Sequence, residues 1–277
     1  MLQDINYANC TLSIDSRGGY ALHFLVNKQH ILMPVLEGAG CGGLFPMAPI
    51  ANRVTGNTIP WRGQNLSLPN VEWDELFFLH GDAWKKPWRV LNKNKSTIQL
   101  VLESHISPQI DYLAMLSYQL SESSLAVTLR VTNQSANAFP FNIGLHPFFS
   151  ANDKTELCLL HQGYWPEGEH HLPMAYQERV ATQYDFRTKK ALLKGWLNHC
   201  YRVSAPATTL FRPDLGYRIV ITYNTHYITL YQPSISDGYI CIEPQAYPID
   251  AHHQIIMPEI EPKACQEVKM TIKVLPL

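Results

Sequence analysis

Apolar and polar residues alternate with a period of two in short segments along the whole chain. The clearest segments are TLSID, ALHFLV, TIQLVLES, LAMLSYQLS, SLAVTLRVTN, RIVITYN, YITLYQPS and VKMTIKVLPL. In SLAVTLRVTN, every second residue from Leu125 to Val131 is aliphatic, and the residues between them are small or polar. Because successive side chains of a strand point to opposite faces, each such segment has one apolar face and one mostly wet face. The pattern predicts an all-β protein, a large antiparallel β-sandwich.

Helical patterning is scarce. The best candidate is TKKALLKGWLNH, residues 188–199, where Ala191, Leu192, Trp196 and Leu197 could form a short apolar stripe. The 19 prolines and 15 glycines fall mostly between the alternating segments, as turn residues do. There is no low-complexity linker and no internal repeat. We therefore expect one domain spanning residues 1–277, with few short helices.

Charge and cysteine usage indicate which binding partners and which cellular compartment to expect. The chain has 22 basic and 23 acidic residues and a net charge of -1, without a basic stripe that would indicate a nucleic acid or membrane partner. No apolar run reaches the roughly 18 residues that a membrane helix needs, and the N-terminus shows no secretory signal. The six cysteines are scattered without a CxxC pair. These features predict a cytoplasmic protein with free thiols.

The segment GYICIEPQ, residues 238–245, places an acid in an otherwise apolar strand. Alternation puts Glu243 on the face of Tyr239, whereas Ile240 and Ile242 take the other face. Pro244 has no N–H, so regular pairing is expected to stop there and let the carboxylate face a cleft. The alternative is a structural carboxylate at a strand end, bonded to backbone donors or to an arginine.

Three further residues are candidates for chemistry. His80 in FLHGD and His146 in FNIGLHPFFS lie in apolar surroundings. An imidazole titrates near neutral pH and suits proton transfer, but a histidine in such company is also commonly a satisfied core residue. Arg53 in ANRV offers a fork of donors for hydroxyl or carboxylate oxygens, and its alternative is a structural salt bridge.

The sequence lacks the usual signals of a metal or a nucleotide cofactor. The neighbouring histidines in His170-His171 and His252-His253 would point to opposite sides of an extended chain, and no HxxxH or CxxC spacing occurs. GxSxG, GxxxxGK[ST] and GxGxxG are also absent. We therefore predict neither a metal site nor a cofactor.

Several motifs, taken in order, resemble the aldose 1-epimerase (galactose mutarotase) family. They are PMAPIANRV with the following WRGQNLSLP, then LHGDAWKKPWRV, FNIGLHPFF, DFR at residues 185–187, and CIEPQAYPIDAHH. Together they span most of the chain. GLHPFF stands where the galactose enzymes tend to have N-H-x-Y-F, so the chain resembles the divergent bacterial-type members.

The resemblance implies a galactose mutarotase-like supersandwich that interconverts the α and β anomers of a free aldose without a cofactor or metal. By position, Glu243 matches the general base, His146 the general acid and His80 the second active-site histidine. Arg53 matches the arginine that binds sugar hydroxyls. The implied partner is a small-molecule sugar, with no nucleic acid or membrane, and the protein is expected to be a monomer or homodimer.

One position departs from the family and keeps other functions open. Asn198 in WLNHCY stands where the family usually has an aspartate that binds sugar hydroxyls, which puts the sugar preference in doubt. Trp84 is a candidate for stacking on the sugar. One alternative is a hexose-6-phosphate 1-epimerase, although the segment after His80 has no arginine before Arg89. The other is a non-catalytic sugar-binding or regulatory protein.

Overall fold

The computed structural model describes residues 1–35 and 42–277. Within these ranges the strands are β1 Leu2–Tyr7, β2 Cys10–Asp15, β3 Tyr20–Val26, β4 Gln29–His30, β5 Leu44–Met47, β6 Thr58–Trp61, β7 Gln64–Ser67, β8 Arg89–Lys93, β9 Thr97–Ser107, β10 Ile110–Ser121, β11 Ser124–Asn133, β12 Gly144–Ser150, β13 Glu156–Trp165, β14 Lys190–Ala191, β15 Leu197–Arg212, β16 Tyr217–Tyr223, β17 Tyr227–Gln232, β18 Tyr239–Gln245 and β19 Cys265–Pro276. The short helix α1 is Ala251–Gln254, and 3-10 turns occur at Thr55–Asn57, Ala83–Lys85, Glu169–His171, Thr182–Tyr184 and Ile235–Asp237.

The alternating segments form strands, and the all-β prediction is confirmed. In β11, the four aliphatic residues from Leu125 to Val131 are buried, whereas the residues between them are partly or fully exposed. The segment WRGQNLSLP contains the turn and the second strand of the hairpin β6–β7, whose two-residue turn is Arg62-Gly63. Both turn residues have positive φ, as a tight hairpin requires.

The helix predicted for residues 188–199 is wrong. Lys190–Ala191 form β14 beside β13, and Leu197 begins the long strand β15. Gly195 lowers helix propensity at the middle of the segment. In addition, the backbone of residues 197–202 pairs with β17, which provides the hydrogen bonds that a helix would otherwise supply.

All the described strands except β6 and β7, which form a separate hairpin, build one curled antiparallel sheet whose two halves face each other. One half runs β2, β3, β5, β12, β18, β17, and the other runs β16, β19, β11, β10, β9, β8. β15 belongs to both halves, because its first residues pair with β17 and residues 207–212 pair with β16. The curl therefore turns within β15.

The main core fills the space between the two halves. Ile240 and Ile242 of β18 belong to the same buried cluster as Val268, Met270 and Ile272 of β19. Tyr239 and Cys241, on the other face of β18, belong to a second, smaller cluster. The predicted division of β18 into two faces is thus confirmed, and Glu243 points away from the main core.

The described residues include five of the six cysteines. Cys10, Cys158, Cys200 and Cys265 are free thiols, and Cys241 is buried in β18. Cys41, also predicted to be a free thiol, lies outside the described residues. Among the described residues, no helix is long and apolar enough to cross a membrane.

Candidate active site

His146 and Glu243 face each other across an interruption in the sheet. Gly144 of β12 pairs with Gln245 of β18, and the pairing resumes only at Phe148 with Cys241. The same register places His146 opposite Glu243, and His146 Nε2 lies 3.2 Å from Glu243 Oε1. A directly opposed cross-strand pair is the closest approach that two side chains on neighbouring strands can make.

Two prolines explain the interruption. Pro147 follows His146 and Pro244 follows Glu243, and neither has an N–H to donate to the ladder. The prediction that pairing stops at Pro244 is nevertheless wrong. β18 is a central strand, and Gln245 still pairs with Gly144 on one side and with Tyr227 on the other. The prolines thus remove single hydrogen bonds inside a sheet that continues beyond them.

His146 lies between two phenyl rings. Its imidazole stacks on Phe45 of β5 and Phe148 of β12, with ring centroids 4.5 and 4.7 Å away. The side chain is 7% exposed. Burial, with a smaller contribution from the nearby Arg53, lowers the pKa of His146 to about 3, because the apolar surroundings disfavour the imidazolium.

Glu243 is buried at the bottom of the site. Its Oε2 accepts a hydrogen bond of 3.2 Å from Gln245 Nε2, which also donates to Thr229 Oγ1 at 2.9 Å. Burial raises the pKa of Glu243 to about 8, and the opposing effects of Gln245 and Arg53 are smaller. Burial therefore favours the neutral form of both groups, the protonated carboxyl of Glu243 and the uncharged imidazole of His146.

His80 is held by two hydrogen bonds to Asn52. The backbone N–H of Asn52 donates to His80 Nδ1 at 3.2 Å, and the N–H of His80 donates to the Asn52 carbonyl oxygen at 3.1 Å. Since Nδ1 accepts, Nε2 bears the proton of the neutral ring. The ring packs edge-on against His146 with centroids 5.1 Å apart. Burial and the neighbouring His146 lower the pKa of His80 well below its ordinary value.

Arg53 brings a guanidinium group into the site. Its Nη1 donates to Asn52 Oδ1 at 3.3 Å, and its charge acts on Glu243 and Glu167. Among the described residues, this guanidinium forms no ion pair within 4.0 Å, unlike Arg212, which binds Asp214. The structural salt bridge considered for Arg53 is therefore not observed there, and the guanidinium donors other than the one bonded to Asn52 can serve a ligand.

Asn198 is bonded to an acid that the sequence reasoning missed. Its Nδ2 donates to Glu167 Oε1 at 2.7 Å. The carboxylate of Glu167 also accepts hydrogen bonds from His171 Nδ1 and from Trp196 Nε1. The backbone N–H of Glu167 donates to His199 Nδ1 at 3.0 Å. One carboxylate thus holds side chains from two separate segments of the chain.

These residues surround a cavity of about 200 Å³. The lining residues are Asn52, Arg53, Leu79, His80, His146, His171, Trp196, Asn198, Tyr231 and Glu243. Five of the six predicted site residues are therefore brought together. The sixth, Trp84, lies behind the lining, where it stacks on Phe45 with centroids 4.9 Å apart and donates to the Gly81 carbonyl oxygen at 3.1 Å. Trp196 provides the indole of the cavity instead.

Sequence signals for the missed residues were weak. The sequence pattern favours a helix at Trp196, and the His170-His171 pair indicates at most a metal ligand. Tyr231 lies in the recognised segment YITLYQPS, where it pairs with Asn198 on one side and Cys241 on the other. Glu167 follows the apolar end of β13 by two residues. An acid just beyond a buried strand was its only signal.

One set of donors in the site suits a metal ion. Ligand atoms of His146, Cys241 and Glu243 lie within 4.8 Å of one another, and nitrogen, sulfur and oxygen are all ligands that zinc accepts. The expectation of no metal site rested on spacing within short motifs. Here β12 and β18 bring the donors together across the sheet, which such spacing cannot show.

Comparisons with other proteins identify, over most of the chain, the same family that the sequence motifs resemble. The aldose 1-epimerase family model matches residues 2–272. The chain is 31% identical over 264 residues to the protein YphB of Escherichia coli, covering 90% of this chain and 89% of that protein. A crystal structure of a candidate aldose 1-epimerase from Escherichia coli superposes with a TM-score of 0.93 at 27% identity, covering 100% and 99% of the two chains. A galactose 1-epimerase from Lactobacillus acidophilus has the same fold, with a TM-score of 0.81 at 18% identity over 99% and 95%. The chain belongs to the aldose 1-epimerase family.

Proposed function

We propose that the protein interconverts the α and β anomers of a free aldose by general acid–base catalysis. The observation that supports this most directly is the contact between His146 and Glu243 at the base of the cavity. The anomeric hydroxyl and the ring oxygen of an aldose are bonded to the same carbon. An acid and a base side by side can therefore reach one oxygen each.

In the proposed reaction, Glu243 takes the proton of the anomeric hydroxyl while His146 gives a proton to the ring oxygen. The bond between the anomeric carbon and the ring oxygen breaks, and the anomeric carbon becomes an aldehyde. After the aldehyde rotates, the groups reverse their roles and the ring closes on the other face. Each positioned proton-transfer group contributes on the order of 10²- to 10⁴-fold to such a reaction.

The preference of both groups for their neutral forms is compatible with these roles. The neutral pair and the ion pair of Glu243 carboxylate with His146 imidazolium contain the same number of protons. They differ by one proton shift across a 3.2 Å contact. Arg53 favours the carboxylate form, and a sugar hydroxyl bonded to Glu243 would favour it further.

The remaining lining residues suit an uncharged sugar. We assign sugar hydroxyls to Arg53, Asn198 and His80, and stacking to Trp196 rather than Trp84. Among the described lining residues, Arg53 is the only lysine or arginine, and the Glu167 carboxylate lies directly behind Asn198. A sugar phosphate would need more cationic donors. These features favour a free aldose over a hexose 6-phosphate.

The test compares wild type with Glu243→Gln on freshly dissolved α-glucose, α-galactose and other common aldoses, followed by polarimetry or NMR. We expect wild type to accelerate equilibration of at least one sugar and Glu243→Gln to lose about 10²- to 10⁴-fold of that activity. Glu103→Gln, an exposed acid on β9, serves as the matched control and should retain full activity.

Two results would contradict the proposal. Equal rates for wild type and Glu243→Gln would exclude Glu243 as the base. Saturable sugar binding without acceleration for any aldose would instead support the non-catalytic sugar-binding protein.

A further inference from the structure

We propose that Glu167 is a positioning residue that orients the Asn198 amide so that its carbonyl oxygen, Oδ1, accepts a hydrogen bond from the substrate. This inference rests on the proposed function and deepens it. Asn198 lines the cavity, and its Nδ2 donates to Glu167 Oε1 at 2.7 Å. The amide thereby performs the task for which an aspartate is otherwise expected at this place.

The chemistry of the partner fixes the orientation of the amide. An ionised carboxylate has acceptors only, whereas a side-chain amide has a donating NH₂ end and an accepting oxygen end. If the amide of Asn198 were rotated by half a turn, two acceptor oxygens would lie in contact, which is repulsive. Glu167 therefore selects the NH₂ end of Asn198, and Oδ1 remains for the cavity.

Glu167 is itself held firmly in place. Both of its oxygens are bonded, Oε1 to Asn198 and His171 and Oε2 to Trp196. Its side chain is 14% exposed. With its oxygens occupied, Glu167 acts on the substrate through Asn198 rather than by direct contact.

The sheet register explains why these two residues meet. Trp165 at the end of β13 pairs with Cys200 of β15. The strands are antiparallel, so Glu167, two residues after Trp165, is opposite Asn198, two residues before Cys200. The negative charge thus lies on the segment after β13 rather than on β15, and the Asn198 amide lies between it and the cavity. A hydrogen bond from the NH₂ group to a charged carboxylate also polarises the amide and strengthens Oδ1 as an acceptor.

The pairing predicts a specific pattern for exchanged residues. Asn198→Asp puts two carboxylates in contact, so one must take up a proton or move away. Glu167→Gln removes the charge and no longer dictates which end of Asn198 it bonds. In the double variant Glu167→Gln/Asn198→Asp, the glutamine NH₂ group can donate to the aspartate, whose second oxygen then faces the cavity. The neutral ring of His171, which also contacts this end of residue 167, can switch tautomer so that Nδ1 accepts from the NH₂ group.

The experiment measures kcat and KM of four proteins, wild type and these three variants, for the aldose that wild type turns over best. We expect Asn198→Asp to raise KM about tenfold or more and Glu167→Gln to raise it several-fold, with smaller changes in kcat, because binding of a remote hydroxyl is common to substrate and transition state. The double variant should return to within about threefold of wild type. A double variant no better than the worse single variant would overturn the proposal, as would an Asn198→Asp variant with wild-type KM.

Thermal unfolding separates this inference from the proposed function. If wild type accelerates no aldose, the proposed function fails, but the same four proteins still report the pairing. The unfolding temperature at pH 7 should fall in Asn198→Asp and recover in the double variant. Without that recovery, the orienting contact between Glu167 and Asn198 is refuted, whatever the catalytic result.

Discussion

Glu243 lies in surroundings that disfavour its charged form, and this has a cost for stability. Burial raises its pKa in the folded protein from 4.5 to about 8. Below pH 4.5 the carboxyl is protonated in both the folded and unfolded states. Between pH 4.5 and 8 only the unfolded chain releases the proton, so the protein loses stability as the pH rises, by at most about 1.4 kcal/mol per pH unit.

Glu243→Gln should therefore be more stable than wild type at neutral and alkaline pH. The difference in unfolding temperature should widen from pH 5 to pH 8 and then level off, as measured by calorimetry. Glu267→Gln is the control: Lys269 and Arg130 lower the pKa of Glu267, so its contribution is complete above pH 4.5 and stays constant over this range. A gap between Glu243→Gln and wild type that is independent of pH would show that Glu243 is charged in the folded state.

The donor set of His146, Cys241 and Glu243 leads to a prediction about metals. Because the proposed reaction uses only the acid–base groups of side chains, activity should survive dialysis against EDTA. Added zinc should inhibit by occupying His146 and Glu243, and Cys241→Ser should weaken this inhibition because it removes the thiolate ligand. Loss of activity in EDTA that zinc restores would contradict the proton-transfer mechanism. Mutarotation rates before and after treatment provide the measurement.

At the scale of residues, the order of the motifs predicted the residues at the buried centre of the site better than the residues at its rim. Glu243, His146, His80 and Arg53 all line one cavity, as expected. Glu167 was missed because its role arises from pairing between two strands, which no local pattern in the sequence encodes.

At the scale of elements, the turn that presents His80 depends on one glycine. His80 and Gly81 both have positive φ. A Cβ atom on Gly81 would lie 2.1 Å from the Ala48 carbonyl oxygen, which belongs to the backbone and cannot swing away. The close approach of these two loops keeps His80 next to Asn52.

Gly81→Ala should therefore cost far more stability than the same change at Gly63, which also has positive φ but no atom within 4 Å of the added Cβ. Gly63→Ala should cost about 1–2 kcal/mol from backbone strain alone. We expect Gly81→Ala to cost at least about 2 kcal/mol more, and to reduce mutarotation, in chemical denaturation and activity assays. Equal effects at the two positions would mean that the loops can separate freely.

Most strands could be predicted from the sequence because one face of each is buried, which imposes the period of two. Residues 188–199 could not. Their apolar residues suited a helix locally, and only β17, which is distant in sequence, shows that Leu197 begins a strand. Likewise, Pro244 suggested an end to pairing, whereas the neighbours on both sides keep β18 in the sheet.

At the scale of the whole molecule, β15 links the two halves of the sheet. One buried cluster includes residues of both halves, such as Ile242 of β18 and Ile272 of β19. We therefore propose that residues 1–277 unfold as one domain. The cytoplasmic location and the monomeric or homodimeric state stay predictions.

Denaturant unfolding followed by tryptophan fluorescence and by far-UV circular dichroism checks this proposal. The two transitions should coincide, because neither half can bury its inner face without the other. Two separated transitions would instead indicate domains that fold independently.

The two prolines beside the acid–base pair have a further effect. A residue that precedes proline is largely excluded from the helical conformation, in the unfolded chain as well as in the folded one. His146 precedes Pro147 and Glu243 precedes Pro244, so both backbones are biased towards the extended form before the sheet assembles. Part of the entropy lost in aligning acid with base is thus removed by covalent structure. In the proposed reaction, this preorganises the acid and the base before a sugar binds, which is the condition under which proximity accelerates a reaction most.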